Sequence, residues 1–211
     1  DVAYQPYPTT IDAGQGLYTC VLSGKGAAVC WFILSGDPET WGESNSSILN
    51  PPPSSFTTLT VGANHACGLT QEGQPICWGD NWEGKLDVPE EILTDISAGQ
   101  AHTCGLDAQG AAICWGWDSV GQSSAPEGTF STISAGTNHT CALDDEGQVA
   151  CWGANDFGQC DVPVGAWKDV SAGYNHTCAL DLDGNAVCWG NPNFEIQDAA
   201  DGPFATISSG L

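Results

Sequence analysis

The chain has 211 residues, an ordinary apolar share of 41 %, and 26 Asp and Glu against three Lys and no Arg, for a formal charge of −23. That imbalance excludes nucleic acid and anionic membrane surfaces as partners, because both demand clustered basic side chains. No apolar run approaches the roughly 20 residues of a membrane span, so no membrane insertion is expected.

Residues 1–10 carry Tyr4, Pro6, Tyr7 and Pro8 and read as an extended lead-in. The first residue is Asp rather than Met, which is expected of a processed secreted form or an excised segment. Ile11-Asp12-Ala13-Gly14 then opens a motif that returns in close copies at 59–79, 96–116, 133–153 and 170–190, and a sixth copy begins at Ile207. The leading cysteines Cys67, Cys104, Cys141 and Cys178 follow one another at 37-residue steps, whereas Cys20 to Cys67 takes 47. The surplus falls in 32–58, which holds Trp41 and Pro51-Pro52-Pro53 and reads as a loop insertion. A strict period of this length marks an array or propeller, in which no unit buries its apolar face alone.

Eleven cysteines are the second departure from average composition. Ten form pairs ten positions apart: Cys20 and Cys30, Cys67 and Cys77, Cys104 and Cys114, Cys141 and Cys151, Cys178 and Cys188. Regular, even pairing predicts a disulfide framework and an extracellular location, secreted or at the cell surface. Within a unit, residues 139–143 and 148–152 are short β-prone runs joined by Asp144-Asp145-Glu146-Gly147, a turn with Gly where the left-handed conformation is needed. That register sets Cys141 opposite Cys151, about 4.5 Å apart at Cα and within disulfide reach.

The wording Ile133-Ser134-Ala135-Gly136, His139-Thr140-Cys141-Ala142-Leu143, then Cys151-Trp152-Gly153 and Asn155 to Gln159, resembles the regulator of chromosome condensation family of β-propellers. With Asp161-Val162-Pro163 it is similar to that family's short-repeat bacterial members. The resemblance implies an all-β wheel of blades that presents a loop-rich face to a protein partner. Five complete blades plus a partial repeat are expected, in a single propeller domain over 1–211. The surplus segment at Ile207 completes a blade begun at the other end, pairs with another subunit, or belongs to a larger wheel.

Recurrence in phase assigns most chemistry-bearing residues to the scaffold. His65, His102, His139 and His176 share one repeat position and are expected to hydrogen-bond between blades rather than to hold a metal. Trp31, Trp78, Trp115, Trp152 and Trp189 follow the second cysteine of each copy and are expected in packing. Candidate binding aromatics are those outside that position: Trp41, Trp82, Trp117, Phe157, Trp167 and Phe194, as protein anchors or sugar-stacking platforms. The acidic stretches 144–146 and 181–185 lack the full calcium-loop pattern and coincide with turns. Neither a nucleophile elbow nor a phosphate loop is present, so no catalytic residue, metal or cofactor is assigned.

Sequons stand at Asn45, Asn138 and Asn175, the last two within the repeat wording. Cys160, in phase with Leu86 and Ser123, is left without a partner, as an intermolecular link or an inert thiol. The expectation is a secreted, non-enzymatic interaction or self-assembly module, such as a subunit of an extracellular filament or surface structure. A glycan-binding propeller and a protein inhibitor of a secreted enzyme are the alternatives.

Overall fold

The computed structural model describes residues 10–13, 18–32, 47–191 and 202–210. Each of the five complete copies folds into a three-stranded antiparallel sheet. Blade 1 is β1 (Thr10–Ala13), β2 (Tyr18–Leu22) and β3 (Ala28–Phe32); blade 2 is β4 (Phe56–Val61), β5 (His65–Thr70) and β6 (Pro75–Gly79). Blade 3 is β7 (Leu93–Ala98), β8 (His102–Asp107) and β9 (Ala112–Gly116). Blade 4 is β10 (Thr132–Ala135), β11 (His139–Leu143) and β12 (Val149–Gly153), and blade 5 is β13 (Trp167–Ala172), β14 (His176–Asp181) and β15 (Ala186–Gly190).

The hairpin between the second and third strands forms as the turn chemistry dictates. Gly147 adopts φ 79° and donates its N–H to the carbonyl of Asp144, and the Asp144 N–H closes the turn on the Gln148 carbonyl. A side chain at this position would be strained and would crowd the backbone of Trp167. The register pairs Cys141 with Cys151 as expected, and all five in-blade disulfides are formed, with Cα atoms 4.0 to 4.1 Å apart.

A lone blade of this size cannot bury both faces, and the sequence solves the problem by stacking. Cys20 and Leu22 of blade 1 pack under Leu59, Val61 and Trp78 of blade 2. Cys67 and Leu69 meet Leu93, Ile96 and Trp115 in the same way, and the pattern continues through blades 4 and 5. Each staple is therefore also a core element. In blades 2 to 5 the Trp that follows the second cysteine reaches back with its indole N–H to a carbonyl of the preceding linker: Trp78 to Ile48, Trp115 to Lys85, Trp152 to Gln122 and Trp189 to Gln159, each at 3.0 Å. Ile48 lies within 32–58, of which 47–55 serve as an ordinary blade connection while Phe32 ends β3 and 56–58 open β4.

First strands extend further than the Ile-Ser-Ala-Gly wording suggests. Phe56, Leu93, Phe130, Trp167 and Phe204 stand at 37-residue intervals, and each donates its N–H to the turn glycine carbonyl of the blade before it, at 2.8 to 2.9 Å. Trp167 is thus corrected from a connecting-segment anchor to a core residue: it opens β13, is 5 % exposed, and packs tilted against Trp189 with ring centroids 5.8 Å apart. The position keeps its bulk but not its identity, which hides it from a comparison of letters.

Blades 1 to 5 pack in succession, and among the described strands no packing of that kind joins blade 5 to blade 1. The Ile207 segment does not complete blade 1, whose first strand is β1. It lies against blade 5 instead, where Ser209 donates its N–H to Ser171 Oγ at 2.8 Å, as Ala172 does to Ser134 and Ala135 to Ser97.

Removing one staple with the pair Cys141→Ala and Cys151→Ala is expected to cost roughly 2–3 kcal/mol and to lower the melting temperature by roughly 5–10 °C. Calorimetry checks this, and an unchanged melting temperature would show that the bridge carries no stability.

Candidate interaction face

Pairing of His65 with Gly79, His102 with Gly116 and His139 with Gly153 brings the first-to-second strand connections and the segments after the third strands to one end of the blades. That end carries the residues in which the copies disagree. Trp82, after β6, and Trp117, after β9, come together from adjacent blades with ring centroids 6.4 Å apart and planes tilted by 40°. Trp82 is 63 % exposed and Trp117 is half-buried. Phe157, after β12, is also exposed but stands apart on the next loop. Trp41, Phe194 and Asn45 lie outside the described residues.

Side-chain bonds make this face rigid. Asn81 Oδ1 accepts the Leu86 N–H at 2.7 Å, Asp118 Oδ1 that of Ser123 at 2.7 Å, and Asn155 Oδ1 that of Cys160 at 2.9 Å. The loop around Trp82 has one departure. In the next two loops Gln122 and Gln159 accept the N–H of Val120 and Phe157, but Lys85 takes that place, offers no acceptor, and instead pairs with Asp80 at 3.5 Å while buried. Glu83, beside Trp82, adopts a left-handed φ of 65°, a conformation that collects at functional sites. Sequence reading passed over Lys85 and Glu83; the break in the Gln122–Gln159 phase was the available signal.

The recurring histidines form links between blades. His65 Nε2 lies 2.8 Å from Thr103 Oγ1, His102 Nε2 2.8 Å from Thr140 Oγ1, and His139 Nε2 2.9 Å from Thr177 Oγ1. Thr140 and Thr177 give their single hydroxyl protons to the carbonyls of Gln122 and Gln159, so His102 and His139 must donate from Nε2 and carry the lone pair on Nδ1. Burial pushes His65 and His102 down to about 3 and His139 to about 4, and at His65 the Lys85 charge adds to the effect. These rings are neutral struts. Among the described residues no group of three or more His, Cys, Asp or Glu converges as a metal site.

Acidic turns are likewise occupied with local bonds. Asp144 Oδ1 accepts from the N–H groups of Glu146 and Gln148, and both carboxylate oxygens of Asp181 are engaged by Asn185. Cys160 is half-buried and donates its thiol to the Ala154 carbonyl at 3.4 Å, the same bond Ser123 makes to Trp117. Burial and the Asp161 charge push its thiol up to about 11, which suppresses the thiolate. Thr140 and Thr177, which complete the sequons at Asn138 and Asn175, are fully buried, whereas the two asparagines are partly exposed.

The chain matches the regulator of chromosome condensation (RCC1) repeat at residues 56–84, 93–122, 130–159 and 167–196, together more than half its length. No curated protein matches it in sequence. Among solved structures it is similar to the ectodomain of the Physcomitrella patens receptor kinase CR4, with 28 % identity and TM-score 0.73 over 96 % of this chain and 56 % of that one. It is also similar to the ectodomain of the Arabidopsis thaliana receptor kinase ACR4, with 26 % identity and TM-score 0.55 over 95 % of this chain and 86 % of that one. Prp20p of Saccharomyces cerevisiae, described with its binding to Gsp1p and histones, shares the fold at 18 % identity and TM-score 0.69, over 87 % of this chain and 58 % of its own. The chain thus spans 56 % and 58 % of the CR4 and Prp20p chains.

Neutral buried histidines set a direction for acid stability. Their folded-state values lie below the ordinary 6.5, so below pH 6.5 the unfolded chain takes up protons that the folded chain refuses. Stability is complete above pH 6.5 and is lost as pH falls toward 4, with each of the three rings costing about 2 kcal/mol at pH 5. The urea midpoint is expected to drop between pH 7 and pH 5, and a constant midpoint would contradict the assignment.

Proposed function

Because the chain belongs to the regulator of chromosome condensation (RCC1) repeat family, we propose that it is a non-enzymatic, disulfide-stapled scaffold that binds a protein partner outside the cytosol. The observation that carries this reading is the division of labour among its residues. The His, Cys and Trp of the motif are consumed in joining blades, whereas the Trp82–Trp117 pair stands on a rigid loop face with no evident structural duty. Exposed aromatic rings on a fixed support are what protein interfaces use as anchors, since little side-chain freedom is lost on binding.

Two observations support an extracellular setting. Five formed disulfides persist in oxidising compartments, and the similar propellers of CR4 and ACR4 are receptor-kinase ectodomains. Among the described residues no helix is long and apolar enough to cross a membrane. The charge of −23 directs the partner search toward basic proteins, which such a surface attracts at a distance. Inhibition of a secreted enzyme is one form this binding takes.

The tilted ring pair also favours a second reading, an uncharged glycan stacked across Trp82 and Trp117. Both readings place the contact on the same rings. Affinity capture from the native medium with the wild-type chain and a Trp82→Ala, Trp117→Ala variant separates them from a purely structural role. The variant is expected to lose at least about tenfold in capture with its melting temperature unchanged; undiminished capture would remove the ring pair from the interface. A glycan array that stays silent would eliminate the sugar.

A further inference from the structure

The loop face is segregated in charge as well as in shape. The chain has three lysines and no arginine, and none of the three offers a free charge there. Lys25 lies in the β2–β3 turn, and Lys168 follows Trp167, which pairs with Asp181 at the turn end of blade 5, so both are exposed at the opposite end of the blades. Lys85 belongs to the Trp82 loop but is buried, with its ammonium turned to Asp80. The four histidines are buried in the seams, and burial holds each below its ordinary value. Among the described residues, the exposed charges next to the two rings are therefore all negative: Asp80 and Glu83 on the Trp82 loop, and Asp118 beside Trp117.

These carboxylates are not equally available. Asp118 accepts the Ser123 N–H and the Ser124 hydroxyl, and Asp80 accepts the Trp82 N–H while facing Lys85. Glu83 has no hydrogen-bonding or ionic partner among the described residues. It stands four positions after Gly79, as Val120 does after Gly116 and Phe157 after Gly153, and in those two loops the residue is an exposed apolar one. A free carboxylate thus replaces an apolar side chain beside an exposed indole, in a backbone conformation that few residues other than glycine adopt.

We propose that the Trp82–Trp117 pair receives an arginine side chain from a basic segment of the protein partner, with the guanidinium lying on the indole faces and Glu83 as its counter-charge. Ring faces carry negative potential, and a cation within about 6 Å of an indole centroid is attracted to it. A planar guanidinium covers an indole and still turns its edge N–H groups to a carboxylate, which a compact ammonium on a flexible stem does less well. Charge complementarity selects this occupant. An apolar side chain or an uncharged sugar would cover the same rings but would take water from Glu83 without supplying an ionic partner in its place. Asp80 and Asp118 add attraction at a distance. This deepens the protein-partner reading and rests on it, but it concerns the charge of the occupant, so the two fail on different results.

An acetylated, amidated peptide of alternating glycine and arginine is the probe, and the same peptide with citrulline for arginine keeps the size and hydrogen bonding but not the charge. Titration at about 0.15 M salt, where diffuse attraction to the chain is screened, is followed by nitrogen-15 spectra of the indole N–H groups. The signals of Trp82 and Trp117 are expected to move with the arginine peptide, and the citrulline peptide is expected to bind at least about tenfold more weakly. Trp82→Ala should weaken the arginine peptide by about fivefold and Glu83→Gln by about threefold, whereas Glu146→Gln, which removes the same charge at the turn end, should change it by less than about twofold. Equal binding of the two peptides, equal effects of Glu83→Gln and Glu146→Gln, or indole signals that stay still would overturn the proposal. The protein-partner reading falls instead to capture from the native medium that survives the loss of both rings.

Discussion

Everything in this chain depends on the seam between one blade and the next. A three-stranded sheet with four to six residues per strand leaves its apolar face open, and each repeat closes that face with the same set of residues. The disulfide brings two sulfurs to the face, the leucine two positions after the first cysteine fills the space beside them, and the following blade lays its first strand and its tryptophan on top. A His-to-Thr bond and a side-chain hydroxyl receiving a backbone N–H fix the two blades in register. The staple thus both shortens the unfolded chain's freedom and shapes the surface that the neighbour covers.

This seam governs where binding can occur. Residues that look reactive, an imidazole beside a threonine hydroxyl and a sulfur, are sealed at zero exposure and held neutral by burial. What the seam leaves free is the loop face at one end of the blades, which carries the Trp82–Trp117 pair on bonds that hold its loops still.

Much of this was legible in the sequence, because the repeat reports the same environment several times over. The period, the hairpin turn, the opposed cysteines and the structural role of the histidines all follow from residues that return in phase. Trp167 was misplaced because its position conserves bulk and not a letter: Phe56, Leu93, Phe130, Trp167 and Phe204 do one job. The meeting of Trp82 with Trp117 could not be read at all, since the two occupy different repeat positions and are joined only by the geometry of adjacent blades. The cost of burying Lys85, and the left-handed Glu83 beside it, likewise emerge only when the Gln122 and Gln159 bonds are laid alongside.

The central claim is that the histidines are neutral inter-blade struts, so the motif serves architecture and leaves binding to the residues around it. Nitrogen-15 spectra of the imidazole rings in the folded protein at pH 5 test this directly. The account predicts that His65, His102 and His139 remain neutral, with the proton of His102 and His139 on Nε2 and a bare Nδ1. Imidazolium signals from these rings in the folded state, or protons on Nδ1, would contradict it.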